Sequence, residues 1–254
     1  MKPVPKGAVI LAYHNVVEDG ATQKPGIDEL TVTESQLRSH VRLIRMLRLQ
    51  VVDLSHIARV LASGDDPTGL ITFTFDDALA GVARVGLPVL NDAGISSTIF
   101  VPTDRPGEPP EFWPGAERTM STDELRAAVA HGHALGSHTA SHRSLVTLDR
   151  ADLDDELRRS RRALEDLTDD PVRSIAYPSG HHNLSVRQAV LDAGYQSACT
   201  FLNGRATGDV DPLRLPRFTM GAHSSSARFL YHLARPAGSW PDHQLAEVGG
   251  PPSA

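Results

Sequence analysis

Six residues with strand chemistry, Leu70-Ile71-Thr72-Phe73-Thr74-Phe75, run straight into two acids, Asp76 and Asp77. β-Branched and aromatic side chains in an unbroken run suit a buried strand. Two adjacent carboxylates inside a core are very costly, so the strand has to end there and deliver both acids to a solvent-reachable rim. Successive residues of an extended chain point to opposite sides, which gives the two carboxylates different surroundings. One can bind a metal while the other faces a substrate. Taken alone, the pair is equally well explained as a strand-to-loop transition with aspartate capping the next helix.

A second element, sixty positions on, weights the metal reading. His131 to Ser137 contains Gly132 and Gly136 around Ala134-Leu135 and reads as a short strand leaving a turn. His138 and His142 follow at i and i+4, facing the same way if the stretch turns helically. Neutral imidazole suits zinc and similar borderline metals, and two histidines with one carboxylate leave positions open for water. The spacing is that of an H-E-x-x-H zinc helix, but Thr139 stands where that motif has its glutamate base. The base must come from elsewhere, and Asp76 is the available carboxylate.

Around these motifs the chain alternates strand and helix, the signal for a mainly parallel sheet. Thr33-Glu34-Ser35-Gln36 is a capping box opening an amphipathic helix through about Leu47. Val51 to Leu54 reads as a short strand, Ser55 to Ala62 and Leu87 to Ala93 as helices, and Ser97 to Val101 as a strand. Ser121 caps a helix to about Ala130, and Asp149 to Thr168 reads as a charged helix with a solvated face. Thr103 to Met120 is a long irregular segment containing Phe112 and Trp113; such a loop is usually functional or disordered. Trp113 either stacks on a substrate ring or pins the loop to the core. In an α/β barrel the loops after strand C-termini carry chemistry, which is where His14, Asp76, Asp77 and Tyr177 fall. The Gly/Pro-rich stretch Glu18 to Gly26 could border such a site. His181 and His182 read as exposed loop residues within reach of it.

The two motifs resemble those of the polysaccharide deacetylases, the carbohydrate esterase family 4 or NodB-homology group, over about Ala8 to Phe218. Tyr177-Pro178-Ser179-Gly180 resembles that family's third motif, whose backbone N–H helps to hold an oxyanion. The resemblance implies a distorted (β/α)7 barrel, with Asp77, His138 and His142 as metal ligands and Asp76 as general base. It departs at Ala176, where the family has an arginine orienting the base, and at Ser179, which replaces an aromatic residue. No Leu-x-His motif supplies an acid near the C-terminus; Leu230-Tyr231-His232 is a weak match. The opening Val9 to Val16, with Tyr13-His14, is similar to the circularly permuted poly-N-acetylglucosamine deacetylases of biofilm systems. That branch implies His14 as general acid and Arg217, in Leu213 to Phe218, as the replacement arginine.

The implied activity is metal-dependent removal of N-acetyl groups from an N-acetyl-hexosamine glycan or precursor. One divalent ion is needed, zinc first, with cobalt, nickel or iron compatible. Tyr177, Pro178, Ser179 and Trp113 are the candidate oxyanion and substrate contacts. An O-acetyl esterase, or a deacetylase of a small intracellular acetamido-sugar, is the alternative; a non-catalytic glycan binder would not need Asp76. At 254 residues the chain reads as a single α/β domain, 1–234, with a poorly ordered tail over 235–254. A net charge of −6, with basic and acidic residues intermixed, points away from nucleic acid. No stretch spans a bilayer and no secretory hydrophobic region opens the chain, so a cytoplasmic protein is expected. The single cysteine, Cys199, excludes an internal disulfide and reads as a buried apolar residue.

Overall fold

Seven parallel strands close on themselves into a barrel. The computed structural model describes residues 5–21 and 28–235; the expected tail therefore lies, apart from Arg235, outside the described residues, as does 22–27 of the expected rim loop. In chain order the strands are β1 (Ala8–Tyr13), β2 (Asn15–Val17), β3 (Thr31–Thr33), β4 (Gln50–Val51), β5 (Leu70–Phe75), β6 (Thr98–Val101), β7 (Ala134–Ser137), β8 (Ser174–Ala176), β9 (Ser197–Asn203), β10 (Arg205–Ala206) and β11 (Leu215–Thr219). The helices are α1 (Glu34–Met46), α2 (Leu54–Ser63), α3 (Leu87–Asn91), α4 (Thr122–Ala130), α5 (Arg150–Thr168), α6 (Leu184–Asp192) and α7 (Ser226–Ala234). The parallel ladder runs β1, β5, β6, β7, β8, β9, β11 and back to β1. This is the (β/α)7 barrel.

Its distortion has two visible sources. β5 carries β1 along one edge and divides the other between β4, at Leu70–Ile71, and β6, at Thr74–Phe75. β10 adds an antiparallel pair to the start of β1, Ala8 opposite Ala206. Alternation along the strands then sorts the core into two layers. Ala8 and Ile10 of β1, Leu70 of β5, Phe100, Ala176, Cys199 and Leu215 share the inner cluster, which α2 joins through Leu54, Ile57 and Leu61. Val9, Leu11, Ile71, Phe73, Phe75, Ile99, Ile175 and Phe218 belong to the outer layer beneath the helices. Both faces of β1 and β5 are thus buried, which explains their unbroken apolar runs. Cys199 is buried and its thiol is pushed up to about 12 by that burial, as a core cysteine should be.

Most local expectations hold. Both capping boxes form, at Thr33 with Gln36 and at Ser121 with Glu124. His14 stands between β1 and the short β2, which pairs with β3 outside the barrel. The Val51–Leu54 strand shrinks to β4, because Asp53 caps α2 and Leu54 already belongs to it. Before α3 the chain makes a π-type turn over Val82–Gly86. Helix α5 is not wholly solvated: Leu153, Glu156, Leu157, Ser160 and Leu164 form a buried stripe. No helix among the described residues is long and apolar enough to cross a membrane.

Two buried histidines are held neutral between a donor and an acceptor. His40 Nε2–H donates to the Ser224 carbonyl at 2.7 Å, so Nδ1 accepts the Tyr13 hydroxyl at 2.9 Å. His133 Nε2–H donates to Asn91 Oδ1 and Nδ1 accepts from Ser97 Oγ, each at 2.9 Å. Burial lowers both to about 4, with the nearby His131 adding to the effect at His133. The unfolded chain therefore binds more protons than the folded one between pH 6.5 and about 4, and stability falls as pH drops through that window. Each histidine contributes a loss of about 1.4 kcal/mol per pH unit there. Urea unfolding at pH 7 and pH 5 should show this, with a shallower pH dependence in His40→Gln.

Candidate metal centre and catalytic base

Inner-layer parity on β5 runs through Leu70, Thr72 and Thr74 to Asp76, and on β11 through Leu215 to Arg217. The two charged groups therefore meet inside the barrel mouth, both fully buried. Arg217 Nη1 and Nη2 donate to Asp76 Oδ1 and Oδ2, both at 2.7 Å, a bidentate pair. The rest of the guanidinium is also engaged: Nε donates to the Thr200 carbonyl at 3.0 Å and Nη1 to Thr74 Oγ1 at 3.1 Å. Its Cζ lies over the rings of Phe100 and Phe201, 5.8 and 5.4 Å from their centres. Burial works to raise the Asp76 pKa, but the Arg217 charge and hydrogen bonds outweigh it and hold the carboxyl below the ordinary value.

Asp77 turns the other way. Its φ is +65°, a left-handed conformation that breaks the strand as it ends. Asp77 Oδ1 lies 3.3 Å from His138 Nε2 and 3.2 Å from His142 Nε2. One donor atom from each of the three residues falls within a 4.8 Å cluster. His138 and His142 do not share a helix, contrary to the conditional expectation; the segment is a loop in which Thr139 and His142 take φ of +64° and +62°. The Thr139 hydroxyl accepts the His142 N–H at 3.0 Å, and this turn brings the imidazoles together. His138 Nδ1–H donates to the Ala176 carbonyl at 2.8 Å, which leaves the Nε2 lone pair facing Asp77. Asp77 Oδ1 is buried without a hydrogen-bond partner. An orphaned carboxylate oxygen between two imidazoles fits a divalent cation, with zinc-type ligands.

His14, between β1 and β2, stands beside Asp76, with Nε2 3.9 Å from Oδ2. It stacks on Phe201 at 5.6 Å and meets the edge of Trp113 at 6.1 Å. Burial lowers its pKa, against the opposing pull of Asp76 and Asp77. Phe112, next to Trp113, stacks on His142 at 3.7 Å. The 103–120 loop thus sets neighbouring aromatic rings against the candidate acid and a candidate ligand.

Comparison with known proteins shows the family. The family model for polysaccharide deacetylase matches residues 63–198, just over half of the chain. The chain belongs to the polysaccharide deacetylase family. It is accordingly a hydrolase of a family that acts on acetylated carbohydrate and is generally metal-dependent. YxkH of Bacillus subtilis (strain 168), described as a candidate polysaccharide deacetylase, is 22% identical over 221 residues, 87% of this chain and 74% of that protein. Among solved structures, the Streptococcus pyogenes deacetylase PplD in complex with acetate has a TM-score of 0.78 at 21% identity, covering 91% of this chain and 100% of that one. IcaB from Ammonifex degensii has a TM-score of 0.76 at 22% identity, covering 90% and 98%. At these identities the structural likeness speaks for the shared barrel.

The third family motif follows β8. Tyr177 is buried with the outer layer; its hydroxyl donates to the Leu213 carbonyl at 3.0 Å and its ring stacks on His182. His182 is therefore buried, not an exposed loop residue, whereas His181 is half-buried with Nδ1 against Ser144 Oγ. Tyr177 N–H is committed to the Cys199 carbonyl, Pro178 has no N–H, and Gly180 N–H bonds the Tyr177 carbonyl. Ser179 is exposed and left-handed, with φ +55°. Gly180 follows at φ +72°, where a Cβ would lie 2.7 Å from the Phe201 backbone nitrogen. Ala176 faces the inner layer, and Arg217 reaches Asp76 from β11.

Sequence reasoning passed over two side chains at this site. Phe201 lies on β9 between His14 and Arg217, and nothing in its local pattern marks it. Glu156 sits under the His138–His142 loop, and its place on the α5 apolar stripe was the available signal. The Asp76–Arg217 pair also generates a stability test. Arg217→Met should cost about 3–5 kcal/mol by leaving a buried carboxylate unpaired. Adding Asp76→Asn should recover part of that loss, so a double-mutant cycle by urea unfolding should be strongly non-additive.

Proposed function

We propose that the chain is a metal-dependent deacetylase that removes N-acetyl groups from an N-acetyl-hexosamine glycan or its precursor. The observation that carries this reading is a buried carboxylate, Asp76, held ionised by Arg217 beside the donor triad Asp77, His138 and His142. A divalent ion held by that triad, zinc first, would supply Lewis acidity to the acyl carbonyl and acidity to the attacking water.

The chain's own residues then handle the protons. Arg217 occupies one lone pair on each Asp76 oxygen, and a carboxylate has about four acceptor sites, so Asp76 can still take the water proton. His14 Nε2, 3.9 Å from Asp76 Oδ2, gives that proton a short path onward. His14 delivers it to the departing nitrogen, which leaves as a free amine with both residues restored. The Ser179 N–H is the turn amide available to the developing oxyanion, since its neighbours in the motif are otherwise bonded. Trp113 and Phe112 close the site beside the acid and a ligand, where a sugar ring can stack.

Elemental mass spectrometry and acetate release from N-acetylglucosamine oligomers test the reading together. About one zinc, cobalt, nickel or iron per chain is expected, absent in Asp77→Ala. Asp76→Asn should keep the metal and lose about 10²–10⁴-fold in rate, the range for a positioned base. His14→Ala should slow an amide more than an activated acetyl ester, because only the amine leaving group needs a strong proton donor. Absence of metal after reconstitution, with no acetate released from any oligomer, would sink the proposal.

A further inference from the structure

Glu156 lies on the second turn of α5, in the stripe that packs on the barrel, and is 3% exposed. A carboxylate on an otherwise largely apolar stripe has to find partners for its charge. It finds them in the loop that carries both histidines. Glu156 Oε2 accepts the N–H groups of Ala140 and Ser141, each at 2.9 Å, and Oε1 accepts the Ser141 hydroxyl. The nearest basic group, Arg159 Nη2, is 4.0 Å away on a half-exposed side chain, so backbone amides do most of the neutralising.

Those two amides converge because Thr139 is left-handed. Successive N–H groups in such a turn form an anion-binding concavity, and here the anion is part of the protein. The turn is gripped from other sides as well. Asp104 N–H donates to the Ala140 carbonyl at 2.9 Å and Thr103 N–H to the Thr139 carbonyl at 3.2 Å. Ser137 Oγ accepts the Thr139 N–H at 3.0 Å and pairs with Ser160 Oγ of α5 at 2.9 Å. Helix α5 therefore holds the loop at Glu156 and at Ser160. Of these contacts only Glu156 engages residues between the two histidines with a charge.

We propose that Glu156 is the positioning residue of the metal centre: its carboxylate fixes the Thr139–Ser141 turn and thereby aims the Nε2 atoms of His138 and His142 at Asp77. It touches neither substrate nor ion. The inference rests on the reading of Asp77, His138 and His142 as metal ligands. Groups that orient ligands typically change metal affinity by about 10–100-fold when removed.

Cobalt(II) titration of the full chain, followed by visible absorption and paired with urea unfolding, separates the two readings. Wild type should bind one cobalt; if it binds none, the metal reading falls and this one with it. Glu156→Ala should raise the cobalt Kd about 10–100-fold and alter the absorption band. Glu156→Gln should stay within about threefold of wild type, because a carboxamide oxygen can still accept both amides. If Glu156→Ala does not fold by circular dichroism, Glu156→Asp decides: one methylene shorter, it keeps the charge and should weaken cobalt binding similarly. A purely structural Glu156 would lower the urea midpoint and leave Kd and spectrum unchanged in whichever of these variants folds, and that result overturns the proposal.

Discussion

Asp76 and Arg217 sit face to face in the closed mouth of the barrel, and neither is reached by solvent. Removing either charge from water costs several kcal/mol, and their mutual attraction compensates only with good geometry and further hydrogen bonds. The pair is bidentate, and Thr74 Oγ1 and the Thr200 carbonyl take two of the three remaining guanidinium protons. The barrel interior can hold a carboxylate in its charged form only because β11 supplies the counter-charge from the same layer. Phe100, Cys199 and Ala176 keep that layer dry, which strengthens the pair and isolates it.

Around this pair, backbone strain is concentrated. Of the seven described non-glycine residues with positive φ, five are Asp77, Ala78, Thr139, His142 and Ser179, all at the C-terminal ends of barrel strands. Each left-handed residue costs about 1–2 kcal/mol relative to its relaxed form. Such conformations persist where neighbouring contacts over-determine them. At Thr139 the contacts are Ser137, Thr103 and the Glu156 clamp just beyond; at Ser179 they are the tight turn against Phe201. The strain turns side chains out of strand alternation and into one small volume.

Much of this was legible in the chain itself. Leu70–Phe75 matches β5 residue for residue, because a strand covered on both faces leaves an unbroken apolar run. The capping boxes fix α1 and α4, since they depend on contacts three residues apart. The His138–His142 spacing pointed to convergence correctly, but through the wrong local geometry: spacing cannot distinguish a helical turn from a loop with two left-handed residues. Arg217 was legible only by family resemblance, as its partner is 141 positions away. Glu156 was hidden in a run of charges whose other members do face water; only its register with Leu153, Leu157 and Leu164 set it apart.

The closure of the barrel orders events in time. β1 pairs with β5 along one edge and with β10 and β11 along the other, so the first strand waits for residues 205–219 before its second edge is covered. Arg217 arrives on that same closing strand. Until it docks, Asp76 lacks the counter-charge that lets it be buried as a carboxylate. The Asp76–Arg217 pair therefore forms only with long-range closure, the slow part of folding such a topology. Ring closure of the sheet and burial of the Asp76–Arg217 charge pair are one event.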